Sequence, residues 1–242
     1  WLKAGVLEEG ALWRPDEGTP QGGVISPLLA NVYLHEVLDK WFAEEVQPRL
    51  RGRATLVRYA DDFVMVFNRE EDARRVFDVL PKRFDKYGLR LHPEKTRLLD
   101  FRRPRGPKPP KGRSFELLGF THYWAKSQKG HWVVKQKTAP SRLSRAIKKV
   151  ADWCKRHRHE PVAAQHRKLV AKVRGHYQYF GITGNYRSLW RFAHRVARVW
   201  FTWLGRRSDR AGRTVEAFER QEKRYPLPLP RVVHSRVATA NR

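Results

Sequence analysis

The chain has 242 residues, with 51 Lys and Arg against 24 Asp and Glu, for a formal net charge of +27 at pH 7. Hydrophobic residues make up 40% and aromatics 12%, which is enough to bury a core and excludes wholesale disorder. A lone cysteine, Cys154, excludes an internal disulfide or a cysteine-based zinc site and fits a reducing, cytosolic-type compartment.

The length suits one large domain or two small ones. No run of about 18 apolar residues is present, so no membrane span is expected. No signal peptide is visible, and the chain opens on Trp1, which reads either as processing or as a piece of a longer chain. The charge is unevenly spread. Residues 1–100 hold 16 basic and 17 acidic residues, whereas residues 101–242 hold 35 basic and 7 acidic. The second part is a polycation, for which nucleic acid is the usual partner. The other reading is a solvated basic face of a ribosomal-type or anionic-lipid-binding protein.

Gly18–Gly23 (GTPQGG) is a turn-forming loop. A helix is predicted from about Pro27, with Ser26 as N-cap and apolar positions Leu28, Val32, Leu38 and Phe42. Residues 55–67, TLVRYADDFVMVF, carry β-branched and aromatic residues on both sides of Asp61-Asp62. They predict a β-hairpin whose turn is the Asp pair or lies beside it. Residues 70–88 predict an amphipathic helix with Val76, Val79, Leu80 and Phe84 inward, Pro81 bending it and Gly88 capping it. Residues 89–101 read as strand broken at Pro93, and residues 102–113 as a basic Pro/Gly-rich loop.

Residues 115–125 and 131–137 predict a second hairpin closing over SQKG. After Pro140 the period becomes helical in three runs: Leu143, Ile147, Val150 and Trp153; Leu169, Val173, Tyr177 and Phe180; Leu189, Phe192, Val196, Val199 and Trp203. Their outer faces are crowded with Arg, Lys and His. Tyr177, Tyr179, Tyr186 and Trp190 read as core, with base stacking as the other reading. His157, His159 and His166 have no cysteine partners and are not read as a metal site. The prolines of residues 225–235 exclude helix there, and no internal repeat is present.

Adjacent carboxylates disfavour each other's ionisation, so a stiff hairpin holds such a pair mainly where a hard cation compensates. Two Mg²⁺ ions held roughly 4 Å apart clamp the attacking and leaving oxygens of a phosphoryl transfer. The bland alternative is a hydrophilic turn, because Asp is a good turn residue.

At these residues the chain resembles a known family. Tyr59-Ala60-Asp61-Asp62 resembles the YxDD hairpin of reverse transcriptases. Thr19-Pro20-Gln21-Gly22-Gly23, followed by Ile25-Ser26-Pro27-Leu28-Leu29-Ala30-Asn31, is similar to the fingers–palm loop and helix of group II intron reverse transcriptases. Leu91–Thr96 (LHPEKT) and Leu118-Gly119-Phe120 follow in the same order, and residues 140–205, with GHYQYFGITGN at 175–185, look like the thumb or maturase region.

The resemblance implies an α+β fold: a partial reverse-transcriptase palm, with the YADD hairpin and its packing helices, followed by an all-helical thumb/maturase domain. The expected divisions are fingers/palm over 1–113, a small β region closing the palm over 114–139, helical thumb/maturase over 140–205 and a basic tail over 206–242. The implied activity is RNA-directed DNA polymerisation, joined to binding of group II intron RNA in splicing and mobility. Asp61 and Asp62 would be catalytic and bind two Mg²⁺ ions, Asp61 in the larger role, and Lys95 would approach the incoming triphosphate. Tyr59 and Ala60 would lie near the primer end and incoming sugar, Gln21 and Gly22 would contact the template, and Leu118, Gly119 and Phe120 would form the primer grip. Intron RNA would lie on Arg142, Arg145, Lys148, Lys149, Lys155, Arg156, Lys172 and Arg174, with Arg158, Lys168, Arg191, Arg195 and Arg198 on the same cationic faces.

Further implied partners are an RNA template with a DNA primer, a dNTP and target DNA, in a bacterial-type cytoplasm beside the nucleoid. The family's third palm carboxylate has no fitting counterpart before Gly18, because Glu8, Glu9 and Asp16 fall in a turn-rich approach. The chain is therefore expected to be an N-terminally truncated piece, and no Cys/His endonuclease domain is expected after Gly205. The alternatives kept open are a non-catalytic RNA-binding maturase remnant and a host-adopted reverse transcriptase.

Overall fold

The computed structural model describes residues 6–8, 11–13, 25–109, 112–207 and 214–235. It divides into two compact units, residues 1–100 and residues 101–242. The architecture is α+β, as the sequence predicted: small antiparallel sheets, then helices.

The first unit opens on a short antiparallel ribbon, β1 (Val6–Glu8) and β2 (Ala11–Trp13), in register Val6↔Trp13. Glu8, expected in a turn, closes β1 opposite Ala11. Helix α1 (Ser26–Leu34) starts one residue before the predicted position. Ile25 is already near the helical region, and its carbonyl accepts the Leu28 and Leu29 N–H groups, both at 3.0 Å. Ser26 therefore lies inside the helix rather than capping it, and Pro27 is tolerated because first-turn N–H groups have no intrahelical acceptor.

From His35 to Val46 the winding widens to π type. In i→i+5 winding, residues four and five apart stack on one side. Val37/Phe42 and Trp41/Val46 are such pairs, and Leu38 joins them in the core. Leu28 and Val32, which precede the change, remain exposed. The predicted apolar face thus begins only at Val37.

Hairpin β3 (Ala54–Tyr59) and β4 (Asp62–Phe67) lays Leu56, Phe63, Met65 and Phe67 against this stripe and against Val76, Leu80 and Phe84 of α2 (Glu70–Lys86). Each fully buried side chain of this kind contributes about 1.5–3 kcal/mol. Val79, predicted inward, is exposed, because the buried face of α2 runs through Asp72, Ala73, Val76, Leu80 and Phe84. The Asp72 carboxylate sits in the first turn of α2 and accepts the Arg51 and Gly52 N–H groups at 3.3 and 2.9 Å, fixing the approach to β3.

Helix α2 runs on through Pro81 and ends as predicted at Gly88. Gly88 has φ +67°, Leu89 N–H donates to Phe84 O and Gly88 N–H to Asp85 O, the paired bonds of a Schellman ending. Residues 89–101 form no strand. Leu89 and Leu91 pack on the core, but the described sheets offer no ladder partner, and Pro93 interrupts the segment.

In the second unit, residues 115–125 prove to be two strands. β5 (Ser114–Leu117) and β6 (Phe120–Lys126) are joined by the two-residue turn Leu118-Gly119, and β7 (Trp132–Thr138) pairs with β6 as predicted. The sequence pattern conceals this turn because Leu is an unusual turn residue. Helices α3 (Pro140–Arg156), α4 (Val162–Phe180) and α5 (Tyr186–Leu204) match the three predicted runs. They enclose Val150, Cys154, Leu169, Val173, Tyr177, Leu189, Phe192, Val196 and Trp200. Burial pushes the Cys154 thiol up to about 12, which makes it an inert core residue.

A sixth helix, α6 (Val215–Arg224), lies in the segment read as a basic tail. Its signal was Thr214, whose Oγ1 accepts the Ala217 N–H at 3.3 Å as an N-cap. The proline-containing segment 225–235 is non-helical and follows α4: Tyr177 Oη donates to Pro228 O at 2.9 Å, and Ile182 bridges His234.

Candidate catalytic turn and nucleic-acid surface

The register Tyr59↔Asp62 leaves Ala60 and Asp61 as the hairpin's two turn residues. Ala60 has φ +53°, the left-handed region normally left to glycine, at a cost on the order of 1 kcal/mol. A positive φ at the first turn position matches the turns that join twisted strands in short hairpins. The conformation is held by Arg58. Its Nη1 donates to Ala60 O (2.9 Å) and to Asn31 Oδ1 of α1 (2.9 Å). Its Nε and Nη2 form a two-pronged pair with Asp39 Oδ1 and Oδ2 at 2.8 and 2.6 Å. Arg58 hydrogen bonding holds the Asp39 carboxyl below its usual range, and Asp39 raises the Arg58 guanidinium in turn.

The outcome is a tethered turn whose functional side chains stay free. Tyr59, Ala60, Asp61 and Asp62 are all exposed. Sequence reasoning missed Arg58 and Asp39. The signal was available, because alternation from Leu56 puts Arg58 on the core face, and a cation there needs a carboxylate. Lys95 lies exposed in a turn of the same unit, its N–H donating to His92 O at 3.1 Å, and no described ion pair joins it to Asp61 or Asp62. Gln21 and Gly22, with the rest of the 18–23 loop, lie outside the described residues.

The second unit also holds a strained turn. Leu118 (φ +51°) and Gly119 (φ +77°) both adopt the left-handed region. This turn is clamped rather than open. Leu118 O accepts Tyr179 Oη at 3.0 Å, and Gly119 O accepts the Ala139 N–H at 2.9 Å. Phe120 stacks on Tyr179 (centroids 6.0 Å apart, 14° between planes) and meets the edge of Phe180 at 5.3 Å. A Cβ on Gly119 would sit 3.5 Å from Phe180 and 3.6 Å from Arg142, so the fold seats the first of the expected RNA-binding cations against the turn.

Asn185, fully buried between α4 and α5, ties the sheet to the helices. Its Oδ1 accepts the Thr138 N–H at 2.9 Å, and its Nδ2 donates to Thr138 Oγ1 and Phe180 O, both at 2.8 Å. Asn185, too, was not singled out from the sequence.

Arg142, Arg145, Lys148, Lys149, Lys155 and Arg156 of α3 are exposed, as are Lys172 and Arg174 of α4. Helix α4 carries no acidic residue, and α3 carries only Asp152. Lys172 Nζ lies 5.4 Å from the Trp153 ring centroid. Of the four aromatics read as core, only Tyr177 is buried. Tyr179, Tyr186 and Trp190 are 55%, 53% and 52% exposed, because the core takes one face of α4 and α5 and these rings project from the other.

Among the described residues no group of three or more His, Cys, Asp or Glu side chains could hold a metal ion. The two exposed turn carboxylates fit one hydrated Mg²⁺, which uses one or two carboxylates alongside waters and phosphate oxygens. Among the described residues they fall short of a two-ion donor set. No described helix is long and apolar enough to cross a membrane.

Residues 12–122 match the family model for reverse transcriptase (RNA-dependent DNA polymerase). The group II intron-encoded protein LtrA of Lactococcus lactis subsp. cremoris is 33% identical over 93 residues, covering 34% of this chain and 16% of that protein. Protein YkfC of Escherichia coli K12 is 39% identical over 93 residues, covering 27% of this chain and 24% of that protein. The matched segment thus spans a quarter or less of either relative's length. Residues 12–122 are thus similar to reverse transcriptases, and part of the chain is similar to a group II intron-encoded protein.

Proposed function

We propose that the chain acts in RNA-directed DNA polymerisation for a group II intron, and that its cationic unit binds intron RNA in support of splicing and mobility. The observation that carries the reading is the Ala60–Asp61 turn: strained, tethered through Arg58, and presenting Asp61 and Asp62 to solvent inside the segment that matches reverse transcriptases.

In this reading Asp61 and Asp62 hold Mg²⁺, which would acidify a primer hydroxyl and neutralise charge on the triphosphate of a dNTP. The protein's own share is positioning. Arg58 fixes the turn carbonyl so that the carboxylates do not reorganise when phosphate arrives. Exposed Tyr59 and Ala60 face the primer end and incoming sugar, Lys95 offers a cation to the triphosphate, and Gln21 and Gly22 approach the template. The Leu118-Gly119-Phe120 turn, with carbonyls already engaged by Tyr179 and Ala139, offers the primer strand a rigid ledge. The α3 and α4 cations neutralise RNA phosphates, giving affinity with a steep salt dependence and little sequence readout. Residues 1–113 are proposed as fingers/palm, 114–139 as the end of the palm, 140–205 as thumb/maturase and 206–242 as a basic extension containing α6. Target DNA is the partner implied by mobility.

A second reading is a non-catalytic RNA-binding maturase. It is favoured by one observation, that no third acid joins the turn carboxylates among the described residues. Primer extension of oligo-dT on poly-rA with Mg²⁺, run beside Asp61→Ala, separates the two. Extension by the chain that disappears in the variant supports the polymerase. Extension that persists in the variant overturns the role of the turn. Salt-sensitive RNA binding without extension selects the maturase reading.

A further inference from the structure

Helix α5 carries three ring side chains at four-residue intervals, Tyr186, Trp190 and His194. Residues four apart share a helix face, so the rings form one row. Tyr186 and Trp190 are about half exposed, and Trp190 and His194 already stack, with planes 3° apart and centroids 5.2 Å apart. Beside this row run Arg187, Arg191 and Arg195, all exposed. Helix α5 contains no Asp or Glu, and no described carboxylate pairs with these arginines. An exposed tryptophan next to uncompensated cations is costly to leave in water without a purpose, because large aromatic surface is ordinarily buried.

We propose that this row is a stacking site for unpaired bases of a single-stranded nucleic acid, with Arg187, Arg191 and Arg195 holding its phosphates. The inference rests on reading the second unit as a nucleic-acid surface, but it assigns a different helix and a different mode of binding from the α3 and α4 cations. Charge selects a polyanion, since residues 101–242 hold 35 basic against 7 acidic residues, so a second copy of the chain would be repelled. Ring faces select flat partners, and base–aromatic stacking tolerates any base.

The spacing selects a single strand. Successive rungs are about 6 Å apart along the helix axis, well beyond the roughly 3.4 Å rise of stacked bases. A base can reach the row only when it is splayed from its neighbours, as in loops, bulges and unpaired strands. Trp190 and His194, already stacked, form one platform and Tyr186 the next.

The test measures affinity of the full chain for a single-stranded RNA oligomer, the DNA oligomer of the same sequence, an abasic-spacer strand of equal length, and duplex RNA, each across a salt series. Tyr186→Ala/Trp190→Ala should weaken binding of the base-bearing single strands about 10-fold or more, leaving the abasic strand, the duplex and the salt slope unchanged. Tyr186→Phe/Trp190→Phe, which keeps the rings, should restore most of the affinity. Arg187→Ala/Arg191→Ala/Arg195→Ala should weaken every ligand and reduce the slope by about 0.7 for each single-strand phosphate no longer neutralised. The relative loss on RNA and on DNA shows which strand the site favours. Equal loss on the abasic and base-bearing strands, or no loss in the Ala variant while the wild type still binds, overturns the stacking site alone. Wild-type binding to anionic vesicles but to none of the oligomers overturns both the site and the nucleic-acid reading beneath it.

Discussion

Among the described residues, two hairpin turns place a non-glycine residue near φ +50°, Ala60 in one and Leu118 in the other. They are built to different ends. The Ala60–Asp61 turn is held from one side, by Arg58 on the Ala60 carbonyl, and its side chains are left to solvent. The Leu118-Gly119 turn is held on both carbonyls and backed by Phe120, Tyr179 and Phe180. Backbone strain persists only where surrounding structure over-determines it, and it collects at functional sites. One turn uses its support to present carboxylates, and the other to make a stiff ledge. The proposed function places chemistry at the first and holding at the second.

Substitutions and acid test that contrast. Asp61→Ala should lower primer extension by about a thousand-fold or more, since it removes a carboxylate proposed to hold Mg²⁺. RNA affinity should not change, and a parallel fall in affinity would merge the two roles.

Acid should separate the units next. Burial pushes the His176 imidazole, stacked on Phe192 and beside Phe180, down to about 4. The unfolded chain therefore binds a proton near pH 6.5 that the folded chain refuses until about pH 4. Stability of the second unit should be full above about pH 6.5 and fall by about 3 kcal/mol as pH drops toward 4. The Asp39 carboxyl is held below its ordinary 3.8 by Arg58, so its tie to the first turn persists through that window and is lost only as pH falls lower. Denaturant titration of wild type and His176→Phe across pH 4–7 checks this; a pH dependence retained in the variant would point to another group.

Arg58→Ala should cost about 2 kcal/mol, because it leaves Asp39 without its charged partner and frees the Ala60 carbonyl. It should lower kcat of extension more than it raises KM, with Arg58→Lys recovering stability better than kcat. Tyr179→Phe should cost about 1 kcal/mol, the net worth of its bond to Leu118 O, with the ring stack on Phe120 kept. Thermal melts at pH 7 read both losses.

The sequence exposed this organisation unevenly. The hairpin around Asp61-Asp62, the three cationic helices and the Gly88 ending were legible, because each is written in local period or punctuation. Leu118 hid its turn, since nothing about a leucine announces a positive φ; only the bonds to Tyr179 and Ala139 make it tenable. The inward reach of Arg58 depended on Asn31 and Asp39, which lie far back along the chain. The widening after Leu34 moved the buried stripe to Val37 onward, and no α-helical period anticipates that shift. Tyr186 and Trp190 are apolar enough to pass for core, and only packing shows which face of α5 is covered.

The most direct test of this division of labour is the salt dependence of RNA affinity in two variants, Asp61→Ala/Asp62→Ala and Arg142→Ala/Arg145→Ala/Lys148→Ala/Lys149→Ala. The first should match wild type in both affinity and slope. The second should bind more weakly, with a slope flattened by about 0.7–0.9 for each phosphate no longer neutralised. A basic-cluster variant with unchanged slope, or a carboxylate variant with altered slope, would contradict that division.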